Sequence, residues 1–205
     1  MTTGSNHIAI LILAAGGSSR MGKPKQLLPF GEGTLLTQSI RVAKSIPDAH
    51  VYVVIGSGST AIAGKIEEEQ VQIIVNADWQ KGIGTSISEG VGLIASSDYR
   101  GVLILLADQP MVDASHLTKL VQAFSEQPDR IVATSYPNNN GVPSIFGAKY
   151  FQKLIALKSD QGAQKLLNKL DPLVIKPAAY FNDIDTPEAY RKFMASVANP
   201  DSKDS

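Results

Sequence analysis

A glycine-containing turn followed by several cations lies near the start of the chain, in the segment LAAGGSSRMGKPKQLL at 13–28. Glycine lets a backbone approach a ligand closely, and consecutive unpaired N–H groups in such a turn form an anion-binding concavity. Cations beside that concavity complete a site for phosphate or triphosphate. The residues of interest are Gly16, Gly17, Ser18, Arg20 and Lys25, and Lys23 is a further cation of the segment. The alternative is an ordinary strand-to-helix turn with solvated cations.

A competing motif overlaps this turn. The segment GSSRMGK at 17–23 fits the pattern G-x-x-x-x-G-K of a P-loop. A P-loop next needs Ser or Thr, whose hydroxyl holds Mg²⁺ on the first turn of a helix, whereas this chain has Pro24. We therefore interpret the match as accidental and favour a phosphate site of another kind.

Two carboxylates, Asp108 and Asp185, follow later strands and suit a metal. Asp108 comes after the apolar run VLILL at 102–106, which is typical of a buried parallel strand. In open parallel sheets, ligands bind beyond the carboxyl ends of the strands, so we expect one cleft to collect Arg20, Lys25 and the two carboxylates. Mg²⁺ takes one or two carboxylates together with waters and phosphate oxygens, and charge neutralisation is the main need of phosphoryl-type transfer.

Each carboxylate also has a structural interpretation. Asp108 can be a turn residue that accepts hydrogen bonds from backbone N–H groups, exposed at the end of its strand. Asp185 can contribute to the cap of the last helix, because Thr186 and Pro187 beside it form a typical helix start. We favour the metal site because both carboxylates occur together with the opening turn.

Strands alternate with helices along the chain, which predicts an α/β fold with an open, mostly parallel sheet. We predict one domain over 1–197 and a frayed tail over 198–205. A loop is expected over 76–86, and Asp160 is expected to cap a helix over 161–170. The predicted strands are 7–13, 50–55, 71–75, 99–106, 130–136, 142–146 and 173–176. The other predicted helices are 34–46, 59–69, 87–95, 113–125, 148–157 and 186–197.

The composition excludes several classes of protein. Lys plus Arg and Asp plus Glu both number 19 in the 205 residues, so there is no basic excess for nucleic acid or an anionic membrane. Cysteine is absent, which excludes disulfides, thiolate metal sites and a cysteine nucleophile. No run approaches the roughly 20 apolar residues of a membrane span, and no signal peptide is evident. A cytoplasmic protein is expected.

Five motifs resemble one family. The chain is similar to the NTP-transferase family of the MobA/MocA kind, and most closely to its molybdenum cofactor cytidylyltransferase branch. The resemblance extends from about Ile8 to Tyr190. It is carried by LAAGGSSRMGKPK at 13–25, LADQP at 106–110, NNNGVPS at 138–144, SDQGA at 159–163 and DIDTP at 183–187.

The resemblance implies a Rossmann-like sheet with helices on both faces, of the nucleotide-diphospho-sugar transferase type. It also implies Mg²⁺-dependent chemistry, in which an acceptor phosphate attacks the α-phosphorus of an NTP and pyrophosphate leaves. Asp108 would bind Mg²⁺ and Asp185 would complete the metal site, while Arg20, Lys25 and Asp108 would be catalytic. The implied nucleotide-binding residues are Leu13, Ala14, Ala15, Gly16, Gly17, Ser18, Arg20, Lys25, Ser86 and Asp108.

The resemblance also narrows the substrates. Guanylyl relatives tend to carry Leu-Ala-Gly-Gly, so Ala15 favours a pyrimidine and CTP first. The leading hypothesis is transfer of CMP from CTP to molybdopterin cofactor, with a possible recipient molybdoenzyme as partner. Val142 stands where cofactor cytidylyltransferases often carry His, which leaves a sugar or alditol phosphate open as the acceptor. A non-catalytic nucleotide- and cofactor-binding chaperone is the third hypothesis, which the full set of charged residues disfavours.

Overall fold

Apolar, β-branched runs form the centre of the molecule in the computed structural model, which describes residues 7–18, 21–160, 162–179 and 181–198. The strands are β1 (Ile8–Ala14), β2 (Pro29–Phe30), β3 (Gly33–Thr34), β4 (His50–Ile55), β5 (Gln72–Val75), β6 (Gly101–Leu106), β7 (Val132–Ser135), β8 (Asn140–Gly147) and β9 (Leu173–Ile175). The α-helices are α1 (Leu35–Lys44), α2 (Ser59–Ile66), α3 (Ile83–Ile94), α4 (Ala114–Glu126), α5 (Phe151–Ile155), α6 (Gln164–Lys169) and α7 (Pro187–Ala198).

Seven strands form one sheet in the order β5-β4-β1-β6-β8-β7-β9, and β2 pairs with β3 in a separate small sheet. Within the large sheet, β8 alone runs antiparallel to its two neighbours. The short connection between β7 and β8 explains this, because a tight hairpin joins antiparallel strands whereas parallel strands need a long crossover. The predicted mostly parallel sheet is confirmed.

The central strand β1 is buried on both faces along its whole length. Helices α1, α2 and α4 pack on one face, against Ile10 and Ile12 among others. Helices α3, α5 and α6 pack on the other face, against Leu11 and Leu13 among others. Each fully buried side chain of this size contributes about 1.5–3 kcal/mol, so β1 is firmly held and presents residues 15–18 at a fixed place on the carboxyl edge of the sheet.

The last helix packs outside this three-layer core. Ile184, just before α7, lies in a small cluster with Met21, Leu28 and Leu35, and Phe193 of α7 packs against that cluster. The DIDTP segment is therefore attached to the segment that follows the opening turn. Thr186 caps α7 as predicted, since its Oγ1 accepts a hydrogen bond from the N–H of Ala189 at 3.1 Å.

Several predicted boundaries differ from the structure, and two predictions near the site were wrong. Helix α3 begins at Ile83 rather than at 87, so Ser86 lies on its first turn and not in a loop. Glycine and threonine at 84 and 85 weakened the helical signal, but tertiary contacts override it, as in the hydrogen bond from Gly84 N–H to the Ser159 carbonyl at 2.9 Å. Asp160 does not cap a helix, because α6 begins at Gln164 with Ala163 as its N-cap.

The remaining sequence predictions concern the C-terminal tail, the number of domains and membrane spans. Residues 199–205 of the predicted tail lie outside the described residues, and α7 extends to Ala198. The single domain over 1–197 stays a prediction. Among the described helices, none combines the length and the apolar character needed to traverse a membrane.

His116 should make stability pH-dependent. It is buried on α4, and its Nε2 lies 2.8 Å from Thr134 Oγ1, whose own hydroxyl donates to the carbonyl of Pro143. Burial lowers the pKa of His116 below its ordinary 6.5, with Asp113 raising it and Lys119 lowering it. The unfolded chain therefore takes up a proton first as the pH falls, and the free energy of unfolding should decrease below about pH 6.5.

Urea unfolding at pH 7.5 and pH 5.5 measures this effect. In His116→Gln, the loss of stability between these two pH values should be smaller than in the parent protein. An equal loss in both proteins would show that other groups cause the acid sensitivity.

Candidate active site

The opening turn leaves β1 at the carboxyl edge of the sheet and is held from within by Gln26. This side chain is 2% exposed. Its Nε2 donates to the carbonyl oxygens of Ala14 and Gly16, at 2.7 and 3.0 Å. The hydroxyl of Ser18 donates to Gln26 Oε1 at 3.4 Å and accepts a hydrogen bond from the backbone N–H of Lys25 at 3.0 Å. The turn is therefore tied to the segment that carries Lys25.

Trp79 lies against the outer side of the same turn. A Cβ at Gly17 would lie 2.5 Å from the indole ring, and a Cβ at Gly56 would lie 2.6 Å from Trp79 Cβ. Glycine is thus required at both positions for space. Trp79 packs against the core and also lines a cavity beside the turn.

Lys25, Asp108 and Asp185 come together at this edge. The ammonium of Lys25 donates to Asp108 Oδ2 and, at 2.6 Å, to Asp185 Oδ1. The segment that carries Asp185 is fixed beside Asp108 by the hydrogen bond from Ile184 N–H to the Asp108 carbonyl at 3.0 Å. Three residues separated by up to 160 positions therefore form one charged cluster.

The two carboxylates differ in environment. The Asp108 side chain is 13% exposed and that of Asp185 is 52% exposed. We expected Asp108 to be exposed, which was wrong: its side chain is paired with Lys25, and the segment before α7 lies beside it through the hydrogen bond from Ile184 N–H to the Asp108 carbonyl. Asp185 does not cap α7, since Thr186 does so.

Burial and charge shift the pKa values of the buried pair. Burial raises the pKa of Asp108, against the attraction of the Lys25 ammonium. Burial alone would lower the pKa of Lys25, but Asp108 and Asp185 outweigh it and raise that pKa. Lys25 is therefore a firmly protonated cation between two carboxylates.

The cluster fits a divalent cation. Asp108 Oδ1 is buried and has no hydrogen-bond partner among the described residues, and a hard carboxylate oxygen is what Mg²⁺ prefers. The described residues contain no group of three or more His, Asp or Glu side chains able to hold a metal by themselves. A cation here would thus take one or two carboxylates and complete its shell with water and phosphate oxygens.

Two cavities adjoin the cluster. The first, of about 430 Å³, lies along the opening turn, and we call it the loop cavity. Its lining includes Leu13, Ala15, Gly16, Gly17, Lys25, Gln26, Trp79, Ser86 and Asp108. The second, of about 470 Å³, we call the neighbouring cavity; its lining includes Gln109, Tyr136, Asn139, Val142, Gln164 and Asn182. Leu13, Ile83, Leu106, Asp160 and Asp183 line both.

Most of the predicted site residues lie at the loop cavity, and three of those that the structure describes do not line it. Ala14 packs into the core on the opposite face of β1. Ser18 forms hydrogen bonds with Gln26 and Lys25, which line the cavity, and Asp185 accepts a hydrogen bond from the Lys25 ammonium. Arg20 lies outside the described residues.

Several residues of this region were not predicted from the sequence. Gln26 gave no signal, because a single Gln before two leucines is equally compatible with an exposed position. Asp160 was predicted to cap a helix and Asp183 was part of a motif only, and the structure places both where the two cavities meet. Gln109 is buried and donates to Asp183 Oδ1 at 2.8 Å.

Comparison with known proteins gives the same assignment as the motifs. The family model described as the MobA-like NTP transferase domain matches residues 10–173. The chain belongs to this family. Among curated relatives of this MobA-like NTP transferase, the purine catabolism protein PucB of Bacillus subtilis is 31% identical over 198 residues, covering 91% of this chain and 95% of that protein. The nicotine blue oxidoreductase of Paenarthrobacter nicotinovorans is 27% identical, with 90% and 95% covered.

Solved structures agree in fold. The Rv0371c homolog from Mycobacterium sp. strain JC1 superposes with a TM-score of 0.80 at 28% identity, covering 95% of this chain and 98% of that one. Rv0371c of Mycobacterium tuberculosis H37Rv, solved as a complex with manganese, gives 0.75 at 25% identity, with 92% and 98% covered. The nucleotide-diphospho-sugar transferase type of fold, predicted from the sequence, is confirmed.

Proposed function

We propose that this protein is a Mg²⁺-dependent cytidylyltransferase that transfers CMP from CTP to molybdopterin cofactor and releases pyrophosphate. The observation that carries the proposal is the junction of the charged cluster with two adjoining cavities. The loop cavity takes CTP and the neighbouring cavity takes the acceptor. A terminal phosphate of the acceptor then reaches the α-phosphorus where the cavities meet.

The charged cluster supports the transfer chemistry. A phosphate nucleophile is already anionic, so the chain needs no general base and its main task is to neutralise charge. Asp108 and Asp185 would hold Mg²⁺, which supplies electrostatic stabilisation to the phosphates when bound. Lys25 would turn from the two carboxylates to the triphosphate, and Arg20 would add a second cation. The manganese in the related Rv0371c structure is compatible with a divalent ion at this fold.

Ala15 supports a pyrimidine base. It is 5% exposed and lines the loop cavity, as Ser86 does. A methyl group at this position narrows the cavity, which favours the smaller pyrimidine over a purine.

The lining of the neighbouring cavity supports a pterin as the acceptor. Its polar residues include four carboxamides, those of Gln109, Asn139, Gln164 and Asn182, together with the shared carboxylates. No Lys or Arg is among the described residues that line it. A pterin ring offers N–H donors and ring acceptors along its edge, which suits amides and carboxylates. A sugar phosphate whose phosphate pointed into this cavity, away from the junction, would place its negative charge on a lining that has no Lys or Arg among the described residues.

A pyrophosphate-release assay tests the proposal. CTP, GTP, ATP and UTP are each supplied with and without Mg²⁺ and molybdopterin cofactor. Release with CTP only, requiring both Mg²⁺ and the cofactor, is the expected result. Pyrophosphate release only with a sugar or alditol phosphate would show that this compound, and not molybdopterin cofactor, is the acceptor. Nucleotide binding unaffected by Mg²⁺, with no pyrophosphate formed from any acceptor, would favour the chaperone hypothesis.

Ala15→Gly should relax the choice of base. Removing the methyl group widens the loop cavity, and one methyl group in a selective pocket contributes about 1–3 kcal/mol. The ratio of kcat/KM for CTP to that for GTP should therefore fall about tenfold or more. Ala14→Gly is the matched control, because its side chain faces the core on the other side of β1. An unchanged ratio in Ala15→Gly would remove Ala15 from base selection.

The proposal includes two wider expectations. The product would pass to a recipient molybdoenzyme, because a modified cofactor acts only after insertion into an enzyme. The cytoplasm would be the place of action. Copurification with such an enzyme and activity in the cytosolic fraction are the corresponding measurements.

A further inference from the structure

One buried side chain controls the backbone of the opening turn. The Gln26 amide donates to the carbonyls of both Ala14 and Gly16. These two hydrogen bonds fix the peptide group after Ala14 and the peptide group after Gly16. Without them, a segment with two consecutive glycines would sample many conformations. The amide itself is fixed, because Gln26 is almost fully buried and accepts a hydrogen bond from Ser18.

Fixing a carbonyl also fixes the next N–H group. In a trans peptide, the C=O of one residue and the N–H of the following residue point in opposite directions, and the peptide bonds after Ala14 and Gly16 are both trans. Gln26 therefore turns the N–H groups of Ala15 and Gly17 away from itself. Within the described ranges, neither N–H donates to a backbone carbonyl, so both are available to an anion.

The orientation of these peptides decides the sign of the charge that the turn presents. Peptides held as observed offer partial positive charge from N–H groups to a ligand beside the turn. Peptides rotated by half a turn would offer carbonyl oxygens, which repel a phosphate. Backbone N–H groups of this kind stabilise anions without reorganisation when they are held in advance.

We propose that Gln26 is the positioning residue of the triphosphate site: it holds the opening turn with the N–H groups of Ala15 and Gly17 directed at phosphate oxygens. This inference rests on the nucleotide site of the proposed function. It extends to Lys25, because Ser18 links the Gln26 amide to the Lys25 backbone. Gln26 thus aligns the neutral donors and the cation that face the same phosphates.

Calorimetric titration of Gln26→Leu with three ligands tests this role. The ligands are Mg²⁺ with CTP, Mg²⁺ with inorganic tripolyphosphate, and cytidine. Affinity for CTP and for tripolyphosphate should fall by the same factor, about tenfold or more, while affinity for cytidine stays unchanged. Gln26→Glu has the same shape but no N–H donor when ionised, and it should lose at least as much.

Thr37→Val is the matched control. Thr37 is also buried, and its hydroxyl accepts a hydrogen bond from the Thr34 N–H and donates to the Thr34 carbonyl at the start of α1. Thr37→Val should be less stable than the parent protein and should keep the parent's affinity for tripolyphosphate. If Gln26→Leu does not fold, Ser18→Ala replaces it, with a smaller loss confined to CTP and tripolyphosphate.

The outcomes separate this inference from the proposed function. Unchanged tripolyphosphate binding in the folded Gln26 variants, or an equal loss for all three ligands, would overturn the positioning role and leave the nucleotide site standing. A parent protein that binds neither CTP nor tripolyphosphate would overturn the proposed function itself.

Discussion

The change Asp108→Asn should lower kcat/KM for nucleotidyl transfer by about 10³-fold or more, because a bound metal ion supplies several kcal/mol of charge stabilisation in the transition state. The buried Oδ1 of Asp108 has no partner among the described residues, and an amide cannot replace a carboxylate as a Mg²⁺ ligand at equal strength. Initial rates at several Mg²⁺ concentrations measure the effect, and the apparent Mg²⁺ requirement should rise with it.

The fold should survive this change, although Asp108 is largely buried. Breaking a buried ion pair usually costs several kcal/mol because it leaves an unpaired charge. Here Lys25 keeps its second partner, Asp185, and Asn has the same shape as Asp. Thermal unfolding and circular dichroism should therefore differ little from those of the parent protein.

Asp113→Asn is the matched control for Asp108→Asn. Asp113 follows the same strand but accepts the N–H of His116 as the N-cap of α4, a role that Asn fills equally well. Full activity is expected from Asp113→Asn. Near-normal activity in Asp108→Asn would remove Asp108 from the metal site and return it to the role of a turn residue.

The meeting of Lys25, Asp108 and Asp185 was predictable from sequence because it follows from topology. Parallel strands end at one edge of a sheet, so residues just after β1 and β6 must lie near each other there. The DIDTP segment joins them through the hydrogen bond between Ile184 and Asp108. No detailed geometry was needed to predict that Lys25 and Asp108 meet, whereas the hydrogen bond that holds the segment of Asp185 beside them is a detail of the structure.

The remaining features depend on backbone conformation that the residue pattern does not encode. The burial of Asp108 depends on how the segment before α7 crosses the sheet edge. The place of Asp160 between the cavities depends on a turn against Gly82, where a Cβ would lie 2.3 Å from Asp160 Oδ1. The role of Gln26 depends on which way two peptides face. Periodicity reports which residues are buried in helices and strands, and it carries no information on these turns.

Lys25→Met should lower kcat/KM by about 10²–10³-fold, the usual cost of removing one donor aimed at developing charge. Methionine keeps the length and most of the volume of the lysine stem, so the change isolates the charge. Lys23→Met is the matched control, because Lys23 lies two positions away, is exposed and has no ion pair among the described residues. It should retain full activity. An unchanged rate in Lys25→Met would leave Lys25 as a structural partner of Asp108 and Asp185 with no part in catalysis.

Lys25→Met should also bind a divalent metal ion more tightly than the parent protein does when no nucleotide is bound. In the structure, the Lys25 ammonium donates to both carboxylates that would hold the metal, and its raised pKa keeps it charged. Lysine and metal would therefore compete for Asp108 and Asp185 until a bound triphosphate drew the ammonium away. Titration of nucleotide-free protein with Mn²⁺ should show a lower Kd in Lys25→Met than in Lys23→Met. Tighter metal binding together with slower turnover in Lys25→Met would support the replacement of the Lys25 ammonium by the metal ion at the two carboxylates. A Kd unchanged by Lys25→Met would mean that the metal is held elsewhere.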